Sequence, residues 1–220
     1  MFDIIIFDYD GTLVETKLGI MRCAKYALEK MGIPVPDFEA LNSFVGPPLF
    51  QQFRDFAGLE GEQLDLAVEH YRARYTEKGM YETRVFPGIP ALLAALKAAG
   101  RTLAVATSKA SFYAEKMLEN DDLLQYFHAV IGCELDGSRA AKTELLDALF
   151  SRLDLTTEDR ARAVMIGDRM YDIDGAKARG LRSIGVRWGS AAAGELEAHG
   201  ADWIVDSPEQ LGRLLLEGIL

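Results

Sequence analysis

Short apolar runs recur along the chain, and each is typical of a buried strand in a parallel sheet. Residues 2–7 are almost continuously apolar, which favours a strand buried on both faces over an edge strand. Similar runs predict further strands at Thr102–Ala106, Ala129–Ile131, Ala163–Ile166, Ser183–Val186 and Trp203–Val205. Helical patterns lie between them, at Ile89–Ala99, Phe112–Glu119, Thr143–Leu153, Ile173–Arg179 and Pro208–Leu216. This alternation predicts an α/β fold, a parallel sheet with helices on both faces.

The first two predicted strands are separated by residues 8–101, a connection far longer than one crossover helix requires. Apolar residues within it recur at helical spacing, and they predict two amphipathic helices with a shorter helix at Phe50–Phe56 between them: Leu18, Met21, Ala24, Leu28 and Met31 in the first, Leu64, Val68, Tyr71 and Tyr75 in the second. No strand pattern is present. The chain is therefore expected to form an α/β core domain from residues 1–14 and 84–220, with an all-helical insert at residues 15–83.

Composition limits the classes of function. The chain has 220 residues, of which 49% are hydrophobic, enough for a core domain with a smaller insert. A formal net charge of −10 argues against a surface that binds a nucleic-acid duplex. No apolar stretch is long enough to span a membrane and no basic segment precedes the first apolar run, so a cytoplasmic location is expected. An acidic surface without a spare apolar stripe is compatible with a monomer or a weak homodimer.

Four polar clusters follow predicted strands or precede predicted helices. Because the carboxyl ends of parallel strands meet at one edge of a sheet, these clusters are expected to converge there. They are Asp8-Tyr9-Asp10-Gly11-Thr12, Thr107-Ser108-Lys109, Arg139 with Lys142, and Gly167-Asp168-Arg169-Met170-Tyr171-Asp172.

Each cluster also has an interpretation without chemistry. Asp10 and the following glycine are a common turn signal, and Thr107 or Ser108 is a typical helix N-cap. Asp168 and the acid four residues later are favoured near a helix start by the macrodipole. Lys142 fits such an interpretation less well, since a cation at the start of a helix opposes the dipole. A negative group nearby would explain this lysine.

Taken together, the clusters form a coherent site for phosphoryl transfer. The Asp8 carboxylate can attack phosphorus and form a covalent aspartyl-phosphate. Asp10 can protonate the leaving oxygen and then accept a proton from water. The Thr107 hydroxyl and the Lys142 ammonium can hold the phosphoryl oxygens.

The last cluster adds two carboxylates to the same edge. Asp168 and Asp172 can help to bind a hard divalent cation, which prefers oxygen ligands. A cation would also explain why Asp8 and Asp10, which should repel each other, stand so close in sequence.

The four clusters resemble the motifs of the haloacid dehalogenase superfamily of phosphatases. Residues 8–12 match the DxDGT signature, Thr107 the second motif, Lys142 the third, and the Gly167-Asp168…Asp172 segment the GDxxxD fourth. The resemblance spans about residues 2–205 and implies a Rossmann-like core, an aspartate nucleophile at Asp8 and a Mg²⁺ cofactor. An acid at position 10 favours a phosphatase over a dehalogenase.

The resemblance also implies roles for further residues. The carboxylate of Asp8 and the backbone carbonyl of Asp10 would bind Mg²⁺ together with Asp168, and Asp172 would be a ligand or lie just outside the ligand set. Residues that would contact phosphate or substrate are Gly11, Thr12, Thr107, Ser108, Arg139 and Lys142.

The helical insert looks like the C1 cap of this superfamily, a mobile lid that selects the substrate. Its segment Phe44-Val45-Gly46-Pro47-Pro48 resembles a cap segment of phosphoglycolate-phosphatase-like members, which would place Gly46 and Pro47 near substrate. A plain proline-containing turn between helices is the alternative.

One position departs from many phosphoglycolate phosphatases. Thr143 follows Lys142 where those enzymes have proline, and residues 136–142 look closer to a bacterial branch described as 5′-nucleotidases. Arg139, within that segment, is either an extra substrate contact or a solvated charge. The expected substrate is a small phosphorylated metabolite.

The leading interpretation is a Mg²⁺-dependent phosphatase for small phosphate monoesters, phosphoglycolate-phosphatase-like or 5′-nucleotidase-like. A pyrophosphatase or a sugar phosphatase of the same superfamily is the nearest alternative. A phosphoryl-receiver module would use similar residues, but receivers lack the large insert and the second aspartate. A fold kept only for protein binding is disfavoured because every expected catalytic residue is present.

Overall fold

A computed structural model describes residues 2–218. The strands are β1 (Ile4–Phe7), β2 (Val14–Glu15), β3 (Arg84–Val85), β4 (Thr102–Ala110), β5 (Ala129–Cys133), β6 (Ala163–Gly167), β7 (Arg182–Val186) and β8 (Trp203–Val205). Six of them form a parallel sheet with the order β5-β4-β1-β6-β7-β8. The helices are α1 (Lys17–Lys30), α2 (Leu49–Ala57), α3 (Gly61–Glu77), α4 (Ile89–Ala98), α5 (Ser111–Asn120), α6 (Lys142–Arg152), α7 (Thr157–Arg160), α8 (Met170–Ala178), α9 (Glu195–Ala198) and α10 (Pro208–Glu217). The predicted α/β fold is confirmed.

Strand β1 lies at the centre of the sheet, and its four residues are fully buried or nearly so. Alternate side chains point to opposite faces. Ile5 and Phe7 belong to one apolar core, which α4, α5 and α10 cover, whereas Ile4 and Ile6 belong to a second core, which α6 and α8 cover. Burial on both faces explains why the strand reads as an unbroken apolar run rather than an alternating one.

Helices α1, α2 and α3 occupy most of residues 15–83, with a short 3₁₀ turn at Glu39–Phe44. Most residues of the predicted apolar stripes face a shared core, in which Met21, Leu28 and Phe53 are almost fully buried. Leu18 was wrongly placed in the stripe, since it is 45% exposed and lies outside this core. Tyr71 and Tyr75 of α3 stack in the same core with ring centroids 5.4 Å apart. The helical character of this segment therefore follows from its apolar periodicity.

The expectation of no strand in residues 15–83 was wrong at one residue. Strand β2 ends at Glu15 and pairs antiparallel with β3, with Val14 opposite Val85 and Glu15 opposite Arg84. The two strands join the start and the end of the helical segment to each other. Pairs of two residues are too short to give a periodic pattern, so the sequence did not reveal them.

Two predicted element boundaries at the carboxyl edge of the sheet shifted by three residues or more. Strand β4 extends to Ala110 rather than ending at Ala106, and its pairing with β5 is irregular between Thr107 and Ala110. Helix α8 begins at Met170 rather than Ile173. Polar residues at these ends mask the apolar pattern. Within residues 2–218, no helix is both long and apolar enough to cross a bilayer.

Candidate active site

The candidate site lies where β1 is flanked by β4 on one side and β6 on the other. Chain connections leave in opposite directions from such a point, and the crevice that this creates is where open α/β sheets bind ligands. Asp8 directly follows β1, and its backbone N–H donates to the carbonyl of Ile166 in β6 at 2.8 Å. The sheet therefore fixes the backbone that carries the first aspartate.

Three carboxylates from two distant segments meet in this crevice. Asp8, Asp168 and Asp172 are all buried, and one carboxylate oxygen of each lies within 4.8 Å of the others. The ammonium of Lys142, at the start of α6, lies 2.8 Å from Asp8 Oδ1 and 2.7 Å from Asp172 Oδ1. It also donates to the carbonyl of Ala106 at 2.8 Å. A negative group was expected near Lys142, because a cation at the start of a helix opposes the helix dipole. Asp8 and Asp172 are such groups.

The electrostatics of the cluster are those of a site with more negative than positive charge. Burial raises the pKa of Asp8 to about 7, although the charge of Lys142 opposes the shift. Burial also raises the pKa of Asp168 well above its usual range, and the neighbouring charges of Asp172 and Asp8 add to the effect. Burial lowers the pKa of Lys142, but the charges of Asp172 and Asp8 outweigh burial and hold that pKa above its usual range.

Hydrogen bonds from neighbouring loops orient two of these carboxylates. Asp168 accepts from the backbone N–H of Ser190 at 2.6 Å and from the Thr12 hydroxyl at 3.4 Å. Asp172 accepts from the backbone N–H of Arg169 at 3.1 Å. The other oxygen of Asp172, Oδ1, is the one that faces Lys142.

Gly11 is needed for more than a turn. Its φ of +79° lies in the left-handed region, and a Cβ at this position would collide with the Asp168 carboxylate. The turn interpretation of Asp10-Gly11 is therefore correct but incomplete, since the turn brings the backbone against the acidic cluster.

Asp10 points to a different neighbour from Asp8. Its carboxylate Oδ1 lies 3.0 Å from the ammonium of Lys109, and both side chains are less than one tenth exposed. Lys109 also donates to the hydroxyl of Tyr75 in α3 at 2.7 Å. Sequence reasoning placed Lys109 in the second cluster without giving it a role, because the residues next to it carried the motif.

A cavity opens beside Asp10, between the edge of the sheet and the helical segment. The sheet side of its wall includes Asp10, Ser108 and Lys109. The other side is rich in aromatic and apolar residues, and it includes both candidate residues of the 44–48 segment: Phe44, Gly46, Pro47, Pro48, Phe50, Tyr71 and Tyr75. The cavity is therefore suited to a small molecule with an apolar part and a polar end near Asp10.

The other sequence-predicted residues lie at different distances from the cluster. Thr107 is buried in β4 directly after Ala106, whose carbonyl binds Lys142, and its hydroxyl accepts from the N–H of Lys109 at 3.3 Å. The Ser108 hydroxyl donates to the carbonyl of Ala140 at 3.2 Å. Arg139 instead folds back on Glu134 at 2.5 Å and is not among the residues that line the cavity.

Arg169 is a second residue to which sequence reasoning gave no role. Its guanidinium donates to Glu195 at 2.8 Å and to the carbonyl of Val45 at 2.8 Å. The side chain thus connects the turn before Asp172 to the 44–48 segment. It occupies a variable position within the fourth motif, and the distant partners gave no signal in the sequence.

The donor set is suited to a divalent cation. Three buried carboxylates converge, and carboxylate oxygens are the ligands that Mg²⁺ prefers in proteins. Burial, with the neighbouring acids, raises the pKa of Asp8 and Asp168, and a dication would favour the ionised forms of both. The residues present therefore fit the metal that the sequence resemblance implies.

The family model for haloacid dehalogenase-like hydrolases matches residues 5–186, which contain all four clusters. The chain belongs to this family. Members of the family generally use Mg²⁺. The recognition made from the motifs is confirmed.

Proteins of this family with high similarity carry different names. A protein named 5′-nucleotidase from Pseudomonas aeruginosa is 44% identical over 89% of this chain and 87% of its own length. One named tyrosine-protein kinase PtkA from Mycobacterium tuberculosis is 40% identical over 86% of this chain, which spans 64% of that protein. One named phosphoglycolate phosphatase from Cupriavidus necator is 32% identical over 96% of this chain and 92% of its own length.

A solved structure supports the same conclusion. A protein from Clostridium acetobutylicum, described as a predicted phosphatase, superposes with a TM-score of 0.93 at 40% identity and covers 99% of both chains. Family membership and these relatives identify the chain as a haloacid dehalogenase-family phosphatase.

Proposed function

We propose that this phosphatase hydrolyses small phosphate monoesters with Mg²⁺ through a covalent aspartyl-phosphate on Asp8. The observation that carries the proposal is the buried cluster in which Asp8 lies within 4.8 Å of Asp168 and Asp172 and 2.8 Å from Lys142. A carboxylate that is buried among other acids is disfavoured in its ionised form. Nearby cations favour the ionised form, which is the nucleophile.

In the first step, an Asp8 oxygen forms a bond to phosphorus while the bond from phosphorus to the ester oxygen breaks. Asp10 donates a proton to the departing oxygen, so that the leaving group is a neutral alcohol. Lys142 and the Thr107 hydroxyl hold the phosphoryl oxygens as negative charge accumulates on them.

In the second step, water attacks the phosphorus of the aspartyl-phosphate. Asp10, now ionised, accepts a proton from this water. The bond from phosphorus to the Asp8 oxygen breaks, which releases inorganic phosphate and restores the Asp8 carboxylate.

Residues that would hold Mg²⁺ are Asp8, Asp168 and Asp172, with the backbone carbonyl of Asp10. When bound, the ion would neutralise charge on the phosphoryl group and favour the ionised form of Asp8. Thr12 and Ser190 would keep Asp168 in place for this purpose.

The helical segment at residues 15–83 is proposed to act as a cap over the active site, with the rest of the chain as the core domain. Two contacts from this segment to the sheet edge support the proposal. Tyr75 accepts from Lys109 at 2.7 Å, and the Val45 carbonyl accepts from Arg169 at 2.8 Å. The first contact lies in the wall of the cavity that Asp10 faces, and the second holds the backbone next to Gly46, which lines the same cavity.

Nucleoside 5′-monophosphates are the first substrates to test. The relative named 5′-nucleotidase is 44% identical, whereas the one named phosphoglycolate phosphatase is 32% identical. The aromatic side chains in the cavity wall also favour an apolar, ring-containing leaving group over a small carboxylate.

The decisive experiment is a panel of phosphorylated metabolites assayed with Mg²⁺ for release of inorganic phosphate. The panel contains nucleoside 5′-monophosphates, phosphoglycolate, sugar phosphates and pyrophosphate. Asp8→Asn serves as the matched control, because it removes the nucleophile while it keeps the size of the side chain. Turnover by Asp8→Asn at a substantial fraction of the wild-type rate would contradict the mechanism.

The acceptor of the phosphoryl group needs its own measurement. Labelled phosphate should appear on Asp8 transiently and then in solution as inorganic phosphate. A stable phosphoprotein without turnover would favour a receiver module. Label on tyrosine would instead suggest an activity like the one named for the 40% identical relative.

A further inference from the structure

Lys109 is a buried cation that the two steps above do not use. Its side chain is 7% exposed, and its ammonium has two close polar partners, the Asp10 carboxylate at 3.0 Å and the Tyr75 hydroxyl at 2.7 Å. The same ammonium lies 5.0 Å from the centroid of the Tyr75 ring and 5.7 Å from that of Tyr9. Burial of an ammonium is costly unless it is paired, so this arrangement fixes the position of Lys109.

The backbone of β4 explains how this side chain reaches Asp10. The pairing of β4 with β5 is irregular between Thr107 and Ala110, and such irregularities change the direction in which a side chain points. Gly132 in β5 makes room for the irregularity, because a Cβ there would collide with the carbonyl of Lys109. Both features aim Lys109 into the cavity rather than along the strand.

Tyr75 is itself held in one position by its neighbours. It stacks on Tyr71, packs edge-on against Tyr113 with centroids 5.2 Å apart, and its hydroxyl lies 3.3 Å from Met117 Sδ. Since Tyr75 belongs to α3 and Asp10 to the loop after β1, Lys109 connects the helical segment to the sheet edge. The chain of contacts is Tyr75 to Lys109 to Asp10.

We propose that Lys109 is a positioning residue for Asp10, holding its carboxylate at the cavity wall and linking its placement to the position of α3. Separation of α3 from the sheet would remove Tyr75 from Lys109 and leave the ammonium with one polar partner fewer. Asp10 is then held for proton transfer only while the helical segment covers the cavity. The inference rests on the proposed acid–base role of Asp10.

The test compares substrates that differ in their need for a proton donor. An alkyl phosphate has a poor leaving group and depends on Asp10, whereas 4-nitrophenyl phosphate has a good leaving group and needs little protonation. In Lys109→Met, kcat/KM for the alkyl phosphate, which reports the steps up to loss of the leaving group, should fall by up to about 10²-fold, the loss that a small misplacement of a catalytic group can cause. The kcat/KM for 4-nitrophenyl phosphate should change little, because hydrolysis of the aspartyl-phosphate, which also uses Asp10, does not enter this ratio. Exposed Lys78→Met is the matched control.

A double-mutant cycle separates a positioning role from general support of the fold. If Lys109 acts through Asp10, Lys109→Met should cost nothing further in an Asp10→Asn background. Equal losses on both substrates in Lys109→Met would overturn the inference. A double variant whose loss equals the product of the two single losses would also overturn it. If Asp10→Asn loses activity equally on both substrates, the proposed acid–base role of Asp10 is wrong. If Asp10→Asn prefers the better leaving group but Lys109→Met does not, only the inference about Lys109 is wrong.

Two further variants keep the test decisive if Lys109→Met does not fold. Tyr75→Phe removes the hydroxyl that Lys109 binds and should produce the same leaving-group preference to a smaller degree. Lys109→Arg keeps the charge and should recover part of the alkyl phosphate activity. Tyr75→Phe that behaves as wild type on the alkyl phosphate would overturn the link to α3.

Discussion

Lys142 offers a direct test of the electrostatics of the acidic cluster. Its ammonium lies 2.8 Å from Asp8 and 2.7 Å from Asp172, and all three side chains are less than one tenth exposed. Lys142→Met keeps most of the aliphatic chain but removes the charge. Three carboxylates would then lie within 4.8 Å of one another without this cation.

The expected loss follows from the cost of leaving a buried charge without its partner. Removal of one member of a buried ion pair costs about 3–5 kcal/mol. For a protein of this size each kcal/mol shifts the melting temperature by about 2–4 °C, so a decrease of roughly 6–20 °C is expected without metal. The measurement is thermal unfolding in a chelating buffer, with Lys78→Met as the control for removing an exposed lysine.

The pH dependence distinguishes lost charge from lost packing. Because the pKa of Asp8 is raised to about 7 in the folded protein, Asp8 is mostly ionised at pH 8 and mostly protonated at pH 5.5. Lys142 stabilises the ionised form, so the loss in Lys142→Met should be larger at pH 8. Added Mg²⁺ should raise the melting temperature of the variant more than that of the wild type. An equal loss at both pH values, or a loss no larger than that of Lys78→Met, would refute the electrostatic account.

Further predictions concern single residues and the metal-free protein. Asp10→Asn should lower kcat by about 10²–10⁴-fold, and steady-state kinetics with a poor leaving group would show it. Asp168→Asn should raise the Mg²⁺ concentration needed for half-maximal activity, and an unchanged titration would remove Asp168 from the ligand set. Gly11→Ala should destabilise the protein and weaken Mg²⁺ binding together, since its Cβ meets Asp168. Since the pKa of Asp8 is raised above its unfolded value, the free energy of unfolding without metal should fall as the pH rises from about 5 to 8, and Mg²⁺ should reverse this trend.

The sheet and the acidic cluster were predictable because their signals are local in sequence. Strand β1 is an unbroken apolar run that ends at Asp8, and parallel strands bring their carboxyl ends to one edge. Asp168 and Asp172 follow another such run. The position of Lys142 against the helix dipole indicated a negative neighbour, and the structure supplies two.

The contacts between the helical segment and the sheet edge could not be predicted in the same way. Lys109 reaches Asp10 because the pairing of β4 is irregular after Thr107, and an irregularity of this kind has no periodic signature. Its other partner, Tyr75, reads as one apolar position in a helical stripe. The side chain is indeed buried, but its hydroxyl binds the lysine.

Arg169 has one contact that could be predicted from the sequence and one that could not. Its backbone N–H holds Asp172, which a motif can suggest, while its guanidinium binds the Val45 carbonyl, which depends on how two distant segments pack. Residues that bind phosphate or metal must keep their chemical type at fixed spacing, because the reaction requires it. Residues that join the helical segment to the sheet edge need only reach a backbone carbonyl or a hydroxyl, and many sequences can satisfy that requirement. The contacts between the helical segment and the sheet edge are therefore the part of the site that a single sequence describes least.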